Sequence, residues 1–309
     1  MESEASNCSF TTHVPSGLTF KTFSLISYIP LFIFGIICNV LALWIFCCKK
    51  KEWTVTTLFM RNLMIADILV VLTFPFRLYV FLHKWNLGTE LCKALMSLYF
   101  VNMYMSIFTI TAIAFDRYLA IRHPLKYKSW ISLRKASITC CIFWIICITI
   151  CILRNLEDIE YEFTTCFQDS TRPFFLSPVF VIVGFLLPLL TISFCSGKVI
   201  MTLRVRTRMD TYKQCSVEKA VKLVIANLVS FIICFLPIHI GYTIRFVAES
   251  LRISCNILEN INEFIHVENL IANLNCVLDS VIYYFAASEF QDILFKQFTL
   301  SKCRSSCVP

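Results

Sequence analysis

Three arginines carry the clearest recognition chemistry in this chain. Arg77, Arg154 and Arg245 fall at or near one end of three separate apolar runs, and His239 stands in the same run as Arg245, roughly two turns of helix away. A guanidinium presents a planar fork of donors that grips a carboxylate or phosphate with two bonds. Converging from three helices, such groups would hold an anion. Tyr99 and Tyr242, with Phe100, Tyr104 and Phe246, could line the same cavity. Each arginine alone could equally snorkel to a polar surface, and aromatics at helical spacing pack more often than they line pockets.

A second set lies deeper. Asp67 and Asp279 fall inside apolar runs, with Asn102, Ser106 and Asn275 available nearby in the pattern. A charge inside a bilayer costs from about 2.5 kcal/mol upward, so each acid needs a reason. Two carboxylates among hard oxygen donors could surround a small cation. From spacing alone, a hydrogen-bonded packing network with one protonated acid is the commoner outcome. A third set, Asp116-Arg117-Tyr118, closes the third run, where an Asp–Arg pair could be no more than a snorkelling pair at a membrane boundary.

The elements that must position these residues follow from composition. The chain has 309 residues, 58% of them apolar and only 16% charged. Soluble domains sit nearer 45–50% and about 25%. Disorder and a collagen-like repeat are excluded, and too few charges remain to coat a soluble globule. A bilayer crossing takes about 20 apolar residues in helical form. Seven runs have that length: 24–47, 57–82, 92–120, 136–154, 175–202, 220–247 and 264–285. The expected fold class is therefore an all-α membrane protein, a bundle of seven transmembrane helices. Pro75, Pro188 and Pro237 interrupt the second, fifth and sixth runs and predict kinks.

Lys and Arg set the orientation. Residues 48–61, 115–135, 198–222 and 286–309 hold 20 of the 28 basic residues, which makes that side cytoplasmic and the N-terminus extracellular. The formal net charge of +8 thus reflects topology and does not imply nucleic acid. Residues 1–21 are expected as an extracellular tail, 22–286 as the membrane domain and 287–309 as a cytoplasmic tail. Asn7-Cys8-Ser9 is a glycosylation sequon, usable at Asn7 only if exported. Cys303 and Cys307 follow the last span on the basic side, where palmitoylation occurs. Most of the 17 cysteines lie in apolar runs and act as small hydrophobes; Cys8, Cys92, Cys166 and Cys255 are the ones that could face an oxidising compartment. No zinc-protease, nucleophile-elbow, phosphate-loop or dinucleotide motif is present, so no enzyme activity is expected.

Taken together the motifs resemble the rhodopsin-like (class A) G protein-coupled receptors, over nearly the whole chain. The family's first-span Asn matches Asn39, its second-span acid Asp67, its Asp-Arg-Tyr motif Asp116-Arg117-Tyr118, its fourth-span Trp Trp144 and its fifth-span Pro Pro188. Phe231-Ile232-Ile233-Cys234-Phe235-Leu236-Pro237 matches the sixth-span motif, and Asp279-Ser280-Val281-Ile282-Tyr283 that of the last span. Ser288-Glu289-Phe290 begins what the family forms as a short amphipathic eighth helix. Three positions depart: Phe235 replaces a Trp, Asp279-Ser280 replaces Asn-Pro, which removes a proline kink there, and Ser196 stands where a Tyr is usual. Within the family, Phe185-Leu186-Leu187-Pro188-Leu189 and Cys234-Phe235-Leu236-Pro237-Ile238-His239 resemble the purinergic and lysophospholipid branch, near its lysophosphatidylinositol and kynurenic-acid receptors.

That resemblance implies a multi-pass plasma-membrane receptor for an anionic ligand, lysophospholipid or small organic acid, signalling through heterotrimeric G proteins, with arrestin and membrane lipids as further partners. It implies ligand contacts at Arg77, Tyr99, Arg154, His239, Tyr242 and Arg245, with Arg154 and Arg245 carrying the anion and Arg77 coming third. It implies activation through Asp116, Arg117, Tyr118, Phe231, Phe235, Pro237 and Tyr283, and disulfides Cys92–Cys166 and Cys8–Cys255. It also turns the reading of Asp67, Asn102, Ser106, Asn275 and Asp279 toward a sodium pocket, sodium acting as an allosteric ligand; no other cofactor is implied. A decoy receptor that binds without signalling, and less favourably a transporter, are the alternatives.

Overall fold

The computed structural model describes residues 18–49, 54–157, 166–167, 177–205, 211–251 and 253–286. Asn7, Cys8, Cys303, Cys307 and the eighth helix lie outside them. So do the side chains of Arg154, Cys255 and Tyr283, although these three residues stand on described helices.

All described elements are helical. The first span is α1 (Leu18–Trp44), which ends in a π-helical turn at Ile45–Lys49. The second is broken into α2 (Val55–Val71) and α3 (Phe74–Leu82). Thr54 caps α2, its Oγ1 accepting from the Thr57 amide at 3.2 Å, and Pro75 occupies the first turn of α3, where its missing N–H is tolerated. The third span is α4 (Thr89–Arg122). The short α5 (Pro124–Trp130) follows on the basic side. The fourth span is α6 (Leu133–Glu157). The fifth comprises α7 (Ser177–Val181), a π-helical stretch at Ile182–Leu186 and α8 (Leu187–Val205). The sixth is α9 (Thr211–Ser250), unbroken through Pro237. The seventh is α10 (Cys255–Asn273) and α11 (Asn275–Ala286), interrupted at Leu274. The kinks predicted at Pro75 and Pro188 thus coincide with irregular backbone. The last span breaks at Leu274 and runs regularly through Asp279-Ser280, where no proline stands.

Among the described residues six helices are long and apolar enough to cross a membrane by themselves. The seventh segment falls short because it is divided and carries Glu268, Asn269, Asn273, Asn275 and Asp279. Those polar groups face inward: Glu268, Asn273, Asn275 and Asp279 are all buried. The converse holds outside, where Ile33, Phe34, Ile37, Ile145 and Leu190 are exposed without any apolar partner layer, as a lipid-facing surface requires.

The third span is the axis of the bundle: α4 packs against α2, α6, α8 and α9. Its apolar segment is 72% buried, against 22% for α6, which lies at the edge. Polar clasps cross the bundle at several heights. Asn39 donates to the Cys276 carbonyl at 2.7 Å and accepts from Ser280 Oγ at 2.7 Å, tying α1 to α11. Trp144 donates to Asn62 Oδ1 at 3.2 Å, tying α6 to α2. Arg61 donates to the Phe46 carbonyl inside the first span's π-helical turn, where the wider winding disturbs the ordinary ladder.

Candidate functional site

At one end of the bundle, the disulfide Cys92–Cys166 joins the start of α4 to the connection between α6 and α7, with Cα atoms 5.5 Å apart. Both cysteines are fully buried beside Trp85 and Leu95. The bond closes a 74-residue separation, for which loop entropy predicts about 4–5 kcal/mol of stabilisation. Its main consequence is positional. It fixes Phe167, the one non-glycine residue with positive φ (63°) among those described.

Phe167 places its ring 4.5 Å from the Arg77 guanidinium. Tyr99 and Tyr28 add ring faces at 4.8 Å and 5.9 Å. Arg77 is only 8% exposed. Its single hydrogen bond, to the Tyr28 hydroxyl, is long at 3.4 Å, and its Nε has no partner. Among the described residues no acid pairs with it. Ring faces offset part of the desolvation of a guanidinium, about 2 kcal/mol at best. An unpaired buried cation costs more than that. Among the described residues Arg77 is therefore a cation supplied with aromatic walls and lacking an anion.

Arg245 differs. It is equally buried, but its Nε donates to Glu249 Oε1 at 2.9 Å, one turn along α9. It does not line the cleft that contains Arg77. Arg154 stands near the outer end of α6, on the described backbone. Among the described residues Arg77, and not Arg245, is thus the guanidinium without an acid, which reverses the order expected from the sequence, where Arg154 and Arg245 came first.

Deeper in α9, His239 stacks on Phe185 at 4.3 Å and meets Tyr104 and Tyr242 edge-on. Its Nδ1 lies 2.7 Å from the Phe235 carbonyl. A carbonyl only accepts, so Nδ1 carries the proton and Nε2 is an acceptor, here without a partner. Tyr104 packs against Phe100, Phe108 and Phe180 and belongs to the core. Phe231 stacks on Phe185 at 5.6 Å and meets Phe235 edge-on at 5.4 Å, so one aromatic column runs from His239 to the activation motif.

Sequence reasoning missed Glu268. It is an acid within the seventh apolar run, 1% exposed, with both carboxylate oxygens unpartnered. A Cβ on Gly241 of α9 would collide with its Oε2. The signal was present, since any intramembrane acid needs an explanation.

At mid-depth, Asn102 donates to Asp67 Oδ1 at 2.9 Å and Asn275 donates to Asp279 Oδ2 at 2.7 Å. Asp67 and Asp279 are near enough for their charges to interact. Asp67 Oδ2, Asp279 Oδ1, Asn275 Oδ1 and Ser106 Oγ are buried without partners. Four oxygens left over beside two acids fit the donor set of a hard monovalent cation.

At the end of the bundle opposite the disulfide, Arg117 binds its neighbour Asp116 at 2.6 Å and also donates to Thr56. Thr56 donates to Asp116 Oδ2 at 2.6 Å, and Tyr127 of α5 donates to Oδ1 at 2.6 Å. The carboxylate is thereby fully engaged. Tyr118 instead meets the rings of Phe194 and His123 edge-on.

Comparison with known proteins accounts for this layout. The pattern of the family described as "7 transmembrane receptor (rhodopsin family)" matches residues 38–283, and the chain belongs to that family. It is 39% identical to G-protein coupled receptor 35 of Homo sapiens over 262 residues, covering 85% of this chain and 83% of that one. It is 33% identical to lysophosphatidic acid receptor 6 of Gallus gallus, covering 95% and 97%. It is 33% identical to G-protein coupled receptor 55 of Homo sapiens, covering 88% and 87%. These relatives lie in the lysophospholipid and purinergic branch. The chain is accordingly a multi-pass plasma-membrane receptor that couples an extracellular ligand to a heterotrimeric G protein, and it is not an enzyme. The transporter alternative falls with this.

Proposed function

We propose that this receptor responds to an anionic ligand, a lysophospholipid or small organic acid, whose charge is held by Arg77, with Tyr99 as a wall of the same site. The observation that carries the reading is the buried Arg77 guanidinium, faced by three rings and no acid among the described residues. Arg245, Arg154, His239 and Tyr242 form the remaining ligand contacts. Arg245 engages once the ligand competes with Glu249. One relative's name, lysophosphatidic acid receptor 6, agrees with an anionic headgroup.

In this reading the N-terminal tail is extracellular, residues 1–21, and residues 287–309 are cytoplasmic. Ligand binding disturbs the column Tyr104–His239–Phe185–Phe231–Phe235. The cytoplasmic half of α9, hinged at Pro237, then swings outward. Arg117 leaves Asp116 and meets the G protein, and afterwards arrestin. A ligand shifts that equilibrium only by its differential affinity for the two states. Sodium among Asp67, Asn102, Ser106, Asn275 and Asp279 favours the inactive one.

The test is a panel of acidic ligands read by G-protein dissociation in cells. A charge-assisted bond contributes about 1.5–3 kcal/mol, so Arg77→Gln is expected to lower potency roughly 10- to 150-fold at equal surface expression. Arg245→Ala is expected to lower it less, because that guanidinium already has a carboxylate. Unchanged potency in Arg77→Gln would show that the anion sits elsewhere. Ligand binding without any dissociation would favour the decoy.

A further inference from the structure

The first span ends on two adjacent cysteines. Its apolar segment runs Thr22–Cys48, and Cys47 and Cys48 are both exposed. Their direction is set from behind. The π-helical turn Ile45–Lys49 buries Ile45 and Phe46, and Arg61 of α2 donates to the Phe46 carbonyl. With that inner side clamped, the next two side chains face away from the bundle.

They also complete a stripe. Ile33, Val40 and Cys47 stand seven residues apart, as do Phe34, Leu41 and Cys48. Seven residues make nearly two turns, so each set shares one face of the helix. Ile37 and Trp44 fall between them, and all six apolar residues are exposed. This is the lipid-facing side of α1, and the two thiols are its last members. Lys49-Lys50-Lys51 follows directly in the sequence.

The other free cysteines differ. Cys140, Cys147, Cys151, Cys195, Cys234 and Cys276 are buried. Cys141 is exposed but stands eight residues into α6, about 12 Å from its start along the axis and so inside the hydrocarbon. Cys47 and Cys48 combine exposure with the rim of the bilayer. A thiol facing lipid in mid-span is an ordinary small hydrophobe. A pair at the rim is also within reach of chemistry, because juxtamembrane cysteines are where S-acylation occurs. The lysine triplet beside them would hold this end of the span against anionic lipid.

We propose that Cys47 and Cys48 are sites of S-acylation by a long-chain fatty acyl group, donated by an acyl-coenzyme A thioester through a membrane acyltransferase. The cysteine thiolate attacks the thioester carbonyl, and a new carbon–sulfur bond replaces the old one. Coenzyme A leaves as the free thiol, carrying the proton that the cysteine gave up, and nothing is oxidised or reduced. One leaflet's half of a core about 30 Å thick corresponds to about ten residues of helix. The acyl chain therefore lies along Trp44, Leu41 and Ile37, on the stripe that ends at the thiols, and pins this end of α1 to the inner leaflet. The proposal rests on the orientation read above, which puts the end of α1 in the cytoplasm with acyl-coenzyme A.

The experiment uses the full chain in cells fed an alkynyl palmitate, with label on the purified receptor read before and after hydroxylamine, which cleaves thioesters. Cys303→Ser and Cys307→Ser are combined first, so that the tail thiols contribute nothing. Hydroxylamine-sensitive label is expected to persist in that receptor. Adding Cys47→Ser and Cys48→Ser should remove it, and adding Cys141→Ser instead should leave it intact. Label that survives the loss of Cys47 and Cys48, or that is already absent without the tail thiols, overturns the proposal. A membrane-impermeant maleimide separates that failure from a failure of the orientation. After hydroxylamine, the labelling that depends on Cys47 and Cys48 should appear only in permeabilised cells. If it appears in intact cells, the orientation itself is wrong and the proposal falls with it. Where the serine variants fail to reach the membrane, mass spectrometry of the unmodified receptor decides. An acyl group on the peptide that carries Cys47-Cys48 is expected, and two unmodified thiols there overturn it.

Discussion

The Tyr127 hydroxyl donates to Asp116 at 2.6 Å, so the short helix after the third span holds the acid that in turn holds Arg117. With Thr56 of α2, which also donates to Asp116, two elements thus restrain the Asp116–Arg117 pair. Tyr127→Phe removes a bond to a carboxylate, a class that contributes about 1.5–3 kcal/mol. Basal G-protein dissociation is expected to rise severalfold, with surface expression unchanged. An unaltered basal signal would mean that Thr56 and Arg117 suffice.

The same phenol makes a prediction for pH. Burial first, then the hydrogen bond and charge of Asp116, push Tyr127 above the ordinary tyrosine value. A group raised in the folded state contributes fully below its unfolded value, near 10, and loses that contribution as pH rises through the folded one. The severalfold ratio of basal activity between Tyr127→Phe and wild type should therefore stay constant from about pH 6 to 9, as measured on both proteins at each pH.

Ser280 takes the place of a proline in the family's last-span motif and uses the freedom. It donates to Asn39 Oδ1 at 2.7 Å, while Asn39 donates to the Cys276 carbonyl. Ser280→Ala leaves a buried acceptor short of a partner. A loss of about 1 kcal/mol is expected, seen as a lower melting temperature of the purified receptor. Equal melting of the two proteins would show that the clasp is replaced by water.

Sodium should lower agonist affinity in the wild type and not in Asp67→Asn. The four unpartnered oxygens around Asp67 and Asp279 motivate this, and the cation's contribution follows mass action. A parallel salt response in the two proteins would remove the pocket. Potassium serves as the control for ionic strength.

Gly241 of α9 and Glu268 of α10 pack tightly against each other, since a Cβ on Gly241 would overlap the carboxylate. Gly241→Ala is expected to destabilise by about 1–3 kcal/mol through overpacking. The double variant with Glu268→Ala should recover most of that, because the two sites touch and their effects cannot add. Additive losses would place the strain of Gly241→Ala elsewhere.

Much of this receptor was legible in the chain alone. Seven runs of helical length, with Asn39, Asp67, Asp116-Arg117-Tyr118 and Pro237, define the class. They do so because crossing a bilayer is a local demand: each span must satisfy its own backbone and be apolar within about 20 residues. Pairing is not local. That Ser280 reaches Asn39 across 241 positions, that Glu249 occupies Arg245 while Arg77 has no acid among the described residues, and that a disulfide holds Phe167 against Arg77 all depend on how helices rotate and lean. Spacing shows which charges are buried in lipid. Only the packed bundle decides which of them has already found its counter-charge, because that is a distance between helices set by the whole core.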